Sequence, residues 1–315
     1  MRILVVGAGA IGGYFGGRLL EAGRDVTFLV RERRAAELAG EGLVLISAFG
    51  DFTRLAPPTV LARDLDRPFD LVLLSCKAYS LDEAIRSFAP AVGSDTAILP
   101  LLNGMRHLDV LDEHFGKHHV LGGQCVIAAT LDAHHRVVHL NESHELSFGE
   151  RDGAVSDRAR AIAGAMQGAV FEARASERIL AEMWEKWVFL AAFAAGTCLM
   201  RAAIGDIAAA PGGAELMLRL LAECRTVAEA AGFPPSDAFM ERTRTLLTAP
   251  GSALTASMLR DIENGNPIEA DHIVGDLIRR GNETGGLSAK SSLLRLAYTH
   301  LKAYEARIAR TRPRQ

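Results

Sequence analysis

An α/β protein in two parts is what the sequence predicts: a doubly wound parallel sheet over residues 1–176 and an all-helical part over residues 177–315. Three observations lead there. Short apolar runs alternate with helical periodicity through the first part, the pattern of parallel strands joined by crossover helices. A glycine-rich turn links the first run to the first helical stretch. Beyond residue 176 helical periodicity dominates to the end. The length of 315 residues also suits two cores better than one, since a domain ordinarily holds about 150 residues.

Residues 3–6, 25–30, 70–75 and 96–99 are short and largely apolar, as strands buried on both faces are. Residues 13–22 and 81–88 carry helical spacing between them. Runs at 120–130 and 135–140, with a third at 145–149, are separated by turn signals, which predicts hairpin-linked strands extending the sheet antiparallel at one edge. Residues 159–166 read as a helix and 170–173 as a last strand. Helices are then expected at 177–200, 214–231, 237–247, 268–281 and 288–308. The interruptions at Pro211-Gly212-Gly213, at 232–235 and at Pro250-Gly251 are helix stops and starts. The domain boundary is placed near Ser176, and the arginine-rich tail beyond residue 308 is expected to fray.

Composition narrows the function. Apolar residues make up 49% and charged residues 23%, with a net charge of −3, so no general field draws a nucleic acid or an anionic membrane. Arg2 followed by Ile3-Leu4-Val5-Val6 has a leader-like flavour, but glycines break the run at once and make it a strand. The longest apolar stretch, 188–200, is well short of the roughly 20 residues of a bilayer span and is expected to be a core helix. Cys76, Cys125, Cys198 and Cys224 form no CxxC pair and lie in apolar surroundings. Free, buried thiols in a reducing, cytoplasmic compartment account for them. His114, His118 and His119, and further on His134, His135, His139 and His144, lack the cysteine or carboxylate company of a familiar metal site, so no metal is expected. Neither a Ser-His-Asp arrangement nor a nucleic-acid motif stands out.

Gly7-Ala8-Gly9-Ala10-Ile11-Gly12 follows the first strand and opens the first helix, the context in which GxGxxG marks a Rossmann-type dinucleotide site. Gly7 allows the tight turn, Gly9 lets the backbone approach a pyrophosphate, and Gly12 lets helix and strand pack closely. The second strand ends in Phe28-Leu29-Val30 and is followed by Arg31-Glu32-Arg33-Arg34. An arginine there suits the 2′-phosphate of NADP by charge and by bidentate geometry. Glu32, one residue on, is the carboxylate an NAD site would use.

Further segments stand in a fixed order: Ser75-Cys76-Lys77-Ala78-Tyr79, Leu102-Asn103-Gly104-Met105, Trp184-Glu185-Lys186, and Ser257-Met258-Leu259-Arg260-Asp261-Ile262 with Glu269 beyond. Together with the glycine turn they resemble the ketopantoate reductases over nearly the whole chain. Lys77 and Asn103 stand at carboxyl ends of parallel strands, where ligands of open α/β sheets collect. A lysine there can hold a phosphate or a substrate carboxylate, and an amide can orient the nicotinamide. The resemblance implies an NADP-dependent reduction of a small 2-oxo acid to a 2-hydroxy acid, in a cleft between the two parts. It makes Lys186 the catalytic proton donor, whose partial burial would lower its pKa, and Glu269 the group that supports it and touches cofactor and substrate. It places Lys77, Asn103 and Ala129 on the cofactor side and Ser257 and Asn103 at the substrate.

The sequence departs from that family in one place. Two asparagines that typically follow the catalytic lysine by one and two turns are Leu190 and Ala194 here, on the face of Lys186 by helical spacing, and a third found in some members aligns with Ile204. Aliphatic side chains remove hydrogen bonds to substrate hydroxyls, so a more apolar 2-oxo acid, branched or aromatic, is expected as substrate. D-2-hydroxy acid dehydrogenase activity is an alternative. Two other readings stay open: an NADP(H) sensor without turnover, and a hydride-transfer enzyme acting on an imine or opine-like substrate. A homodimer is expected to form through the helical part.

Overall fold

The computed structural model describes residues 1–287 and 292–311. Two compact units result, one of Met1–Leu102 with His107–Ile179, the other of Asn103–Arg106 with Leu180–Gln315.

In the first unit, β1 (Arg2–Val6) is the centre of a parallel sheet. It is flanked by β2 (Asp25–Leu29) and β5 (Thr59–Val60) on one side, and by β6 (Leu71–Leu74) and β7 (Ala97–Pro100) on the other. The order runs outward from β1 in both directions, so the chain reverses between β1 and β6. The loops after those two strands face the crevice where ligands of doubly wound sheets bind. Near-complete burial of Ile3, Leu4, Val5 and of Leu71 through Leu74 explains why these strands read as continuous apolar runs. Helices α1 (Ala10–Glu21), α3 (Leu81–Phe88), α4 (Arg106–Phe115) and α5 (Asp157–Met166) accompany the strands.

The run expected at 120–130 does start at the β7 edge, where Val120 bridges Ile98 in parallel, but the strands expected to extend this sheet otherwise form a sheet of their own. β9 (Val137–Gly149) is its backbone, paired antiparallel with β8 (Gly122–Leu131). On its other edge β9 meets β3 (Leu43–Ile46) near its start and β10 (Glu172–Ala175) near its end, both parallel. β4 (Phe52–Arg54) closes the sheet against β3. The two runs expected at 135–140 and 145–149 are therefore one strand with a bulge. Pairing passes from Ile127 opposite His144 to Ala129 opposite His139, leaving Leu140 through Ser143 facing Ala128 alone. Two bonds close the bulge: Ala128 N donates to Asn141 Oδ1 at 2.9 Å, and His139 Nε2 donates to Ser143 O at 2.9 Å. Since a carbonyl only accepts, His139 carries a proton on Nε2, and its Nδ1 lies 3.0 Å from Ser47 Oγ.

α1 lies between the two sheets, and its glycines make that possible. A Cβ on Gly16 would stand 2.6 Å from the Phe28 ring and on Gly12 2.1 Å from Gly7 O, both on the side of the parallel sheet. On the other side, a Cβ on Gly13 would stand 2.8 Å from Val137 and on Gly17 2.8 Å from Leu45. The two pairs are each four residues apart, so each lines one face of the helix. Each glycine costs about 1 kcal/mol of helix propensity relative to alanine, and close packing on both faces offsets it. The segment between β2 and β6 was not legible in the sequence beyond its charged start. It holds α2 (Glu32–Glu41) and the short strands β3, β4 and β5.

The second unit contains no strand among the described residues. α6 (Ile179–Met200) is nearly apolar all round, as a central helix must be, and α7 (Ile204–Ala209), α8 (Gly213–Ala230), α9 (Asp237–Leu247), α10 (Ser257–Glu263), α11 (Asp276–Thr284) and α12 (Leu293–Thr311) follow it. The helix expected at 268–281 starts instead as one π-helical turn, Asp271–Gly275, that leads into α11. The start of the helix expected at 288–308 lies outside the described residues. α12 runs to Thr311, past the point where fraying was expected, and residues 312–315 lie outside the described ones. Among the described residues no helix is long and apolar enough to cross a membrane. None of the four cysteines forms a disulfide; Cys76 is half-buried rather than buried, and burial pushes the Cys198 thiol up to about 12.

Candidate active site

The half expected to hold the cofactor is built from the ends of β1, β2 and β6. Gly7 adopts φ +93°, reachable without strain only by glycine, and its N–H donates to Leu29 O at 3.0 Å. Ala8 is buried, Gly9 caps α1, and Ala10 and Ile11 begin the helix. A Cβ built on Gly9 meets nothing within 4 Å, whereas one on Gly12 strikes backbone. Gly9 is thus spared a side chain for something outside the protein, and the bare N-terminus of α1 lies beside it. That combination fits a dinucleotide pyrophosphate.

Two residues whose roles sequence reasoning missed hold this turn. Ser75 Oγ donates to Val6 O at 2.9 Å and lies 3.3 Å from Gly7 O, tying the end of β6 to the end of β1. Arg34, on α2, reaches back with Nε to Ala8 O at 3.1 Å and with Nη2 to His135 O at 3.2 Å. Ser75 sat inside a recognised motif without an assigned task. Nothing in the run Arg31-Glu32-Arg33-Arg34 told the structural arginine from the exposed ones.

Arg31 caps α2 at the end of β2 and is largely exposed, with its Nε 3.0 Å from Glu83 Oε1 and its Nη2 2.5 Å from Glu83 Oε2. Glu32 pairs with Arg63. Lys77 is exposed at the start of a single 3-10 turn after β6. Ala129 sits on β8 at the register shift, half-buried opposite His139.

The second unit holds an open pocket of about 340 Å³. α6 supplies Leu190, Phe193 and Ala194; Ala256, Ser257 and Met258 come from the start of α10; Asn103, Glu269 and Ile273 complete the lining. Five of the expected site residues, Asn103, Leu190, Ala194, Ser257 and Glu269, therefore share one pocket. Lys186 is half-buried one turn before Leu190 on α6 and is not part of the lining. Ile204, the third substituted position, is fully buried at the start of α7 and does not reach the pocket.

The neighbours of Lys186 explain its setting. Trp184 stacks on Phe233 with ring centroids 5.6 Å apart. Glu185 Oε1 accepts from the backbone N and Oγ of Ser236, the cap of α9, at 2.8 and 2.7 Å. Trp187 Nε1 donates to Ile273 O at 2.8 Å, inside the π-helical turn. These three side chains fix α6 against α9 and against the turn that carries Ile273. Gly104, at φ +79°, comes so close to this turn that a Cβ would stand 2.8 Å from His272 O. Asn103-Gly104 is thus a close-approach turn and more than a chain reversal. Burial holds the His272 imidazole below its ordinary pKa, against the opposing pull of Glu269 and Asp276. No cluster of metal-ligating side chains occurs among the described residues.

Comparison with known proteins decides the family. Residues 3–153 match the family model of ketopantoate reductase PanE/ApbA, and residues 178–305 match that of its C-terminal part. The chain belongs to the ketopantoate reductase family. It is 39% identical over 306 residues to the uncharacterized oxidoreductase YkpB of Bacillus subtilis, covering 97% of this chain and 99% of that protein. To the 2-dehydropantoate 2-reductase of Mesorhizobium japonicum it is 28% identical over 297 residues, covering 87% and 89%. Among solved structures, 2-dehydropantoate 2-reductase from Methylococcus capsulatus superposes with a TM-score of 0.85 at 28% identity, over 98% of both chains. A D-mandelate dehydrogenase complex shares the fold with a TM-score of 0.86 at 19% identity, over 98% of this chain and all of that one. As a ketopantoate reductase family member the chain is an oxidoreductase acting on CH–OH groups with a nicotinamide cofactor.

Proposed function

We propose that this ketopantoate reductase family member reduces the carbonyl of an apolar 2-oxo acid to the 2-hydroxy acid, with NADPH. The observation that carries the reading is the composition of the pocket. Leu190, Phe193 and Ala194 make an apolar wall on α6, while Asn103, Ser257 and Glu269 supply polar atoms to the same space. A carboxylate and a carbonyl at one end of the substrate suit the polar groups, and an aliphatic or aromatic tail suits the wall. A hydroxylated tail would lose its bonds to water and find no partner there.

NADPH, when bound, supplies the hydride that reaches the oxo carbon. The turn at Gly7, Ala8, Gly9, Ala10, Ile11 and Gly12 holds the pyrophosphate, Arg31 the 2′-phosphate, and Lys77, Asn103 and Ala129 lie on the cofactor side. Lys186 stabilises the developing negative charge on the substrate oxygen and delivers the proton there. Glu269 supports the ammonium form of Lys186, and Ser257 holds the substrate carboxylate.

The test is loss of NADPH absorbance with a panel of 2-oxo acids that includes ketopantoate, for the wild-type chain and Lys186→Ala. Preference for an apolar 2-oxo acid, abolished in the variant, is the expected result. Ketopantoate turned over best of all would remove the altered-substrate reading. Binding of NADPH without oxidation by any of them, or oxidation only with an added amine, would favour the sensor or the imine reading.

A further inference from the structure

The arginine read as the 2′-phosphate anchor is already gripped. Both oxygens of Glu83, in the first turn of α3, meet the Nε and Nη2 edge of Arg31 at 3.0 and 2.5 Å. This is the paired geometry in which a guanidinium also takes a phosphate. Both side chains are more than half exposed, so burial does not force the pair. The next pair along, Glu32 with Arg63, neutralises the neighbouring charges in the same way. A stretch that reads as strongly basic in sequence is thus matched by carboxylates in the fold.

We propose that Glu83 is a cofactor-specificity residue. Its carboxylate occupies the guanidinium edge that a 2′-phosphate would use, and so holds the preference for NADP(H) over NAD(H) below what Arg31 alone would give. The inference rests on the reading of Arg31 as the phosphate anchor. Two routes are open to an arriving 2′-phosphate, and both lead to the same sign. If the phosphate displaces Glu83, the ion pair is lost. If it binds at the remaining Nη1 side, its negative charge sits within a few ångströms of the carboxylate and is repelled. A cofactor with a 2′-hydroxyl needs neither step, so its affinity is indifferent to Glu83. Because the pair is exposed and screened, the effect is modest.

Dissociation constants for NADPH and NADH, measured by fluorescence titration of the full chain, test this. The forms compared are wild type, Glu83→Gln, Arg31→Gln and the double variant. Glu83→Gln is expected to tighten NADPH about three- to tenfold and to leave NADH within about twofold, which also shows that the site still folds. In the Arg31→Gln background the gain is expected to vanish. NADPH binding unchanged or weakened in Glu83→Gln overturns the proposal, and so does a gain that persists without Arg31, which would reduce Glu83 to a distant charge. If Arg31→Gln itself leaves NADPH binding intact, the reading of Arg31 fails and the proposal falls with it. If Arg31→Gln weakens NADPH but Glu83→Gln gives no gain, only the role of Glu83 is lost.

Discussion

α1 and α6 each shape the candidate site of one unit, and they do so by opposite means. α1 offers backbone. At its N-terminal end Gly9 faces open space, while Gly12, Gly13, Gly16 and Gly17 within it are pressed against neighbours on two sides. α6 offers side chains, with Leu190, Phe193 and Ala194 in the pocket and the flanking Trp184, Glu185 and Trp187 anchoring it. A ligand held by backbone constrains the sequence through what may not be there. A ligand held by side chains constrains it only through what is chosen. The cofactor half is therefore nearly fixed once the fold is fixed, whereas the substrate half can be rewritten at Leu190 or Ala194 without disturbing the helix.

The largest expected effect lies on α6. Lys186→Ala should lower kcat/KM on the preferred 2-oxo acid by about a thousandfold, the middle of the range for loss of a general acid, while the dissociation constant for NADPH stays the same. A parallel loss of NADPH binding would move Lys186 out of the proton-donor role. On α1 the contrast is between two alanines. Gly12→Ala should destabilise the chain by about 3 kcal/mol in denaturant unfolding, since its Cβ would stand 2.1 Å from Gly7 O. Gly9→Ala should leave the unfolding midpoint alone and weaken dinucleotide binding about tenfold or more. If both variants behave alike, the separation of packing glycines from the ligand-facing one is wrong.

A smaller change is expected from Leu190→Asn, which returns an amide to the pocket wall. It should shift the ratio of kcat/KM for ketopantoate over an apolar 2-oxo acid about tenfold towards ketopantoate; no shift would mean that this face does not meet the substrate. Trp187→Phe keeps an aromatic ring but removes the bond to Ile273 O and shrinks a fully buried side chain, which should cost about 2 kcal/mol of stability and lower kcat more than it changes NADPH binding.

The smallest effect concerns acid. Hydrogen bonds from Arg158 hold the Glu150 carboxyl in the first unit below its ordinary value of 4.5, despite the opposing effect of burial. Its contribution is complete above that value and is lost as pH falls through the lowered one. His272, in the second unit, is held neutral by burial below its ordinary value of 6.5. Its contribution is complete above 6.5 and is withdrawn as pH falls from there towards the lowered value. Hydrogen exchange on acidification should therefore show the π-helical turn at Asp271–Gly275 loosening before the Glu150 corner does. The reverse order would contradict both assignments.

What the sequence disclosed follows the same division. β1, β2, β6 and β7 were legible because strands buried on both faces carry unbroken apolar runs, and the glycine turn because its spacing is set by sterics. The second sheet was misplaced as an edge extension, since its pairing depends on β3 and β10, short strands far apart in the chain whose partners no local pattern announces. The bulge at Leu140–Ser143 did leave a trace: the apolar run breaks there, which split one strand into two in the sequence reading. In the pocket, residues on one helix face could be grouped by periodicity. Asn103 was singled out from its place after a parallel strand, whereas the contribution of Ile273 and the anchoring by Trp187 come from contacts between segments distant in sequence. Arg34 and Glu83 were missed for the same reason.

The four packing glycines of α1 have a consequence for any attempt to retune this protein. A helix keyed between two sheets by notches on opposite faces cannot slide or roll to accommodate a different coenzyme, because movement away from one wall drives it into the other. Variants selected for a new cofactor preference should therefore accumulate among the exchangeable charges around α2 and α3 and leave α1 untouched.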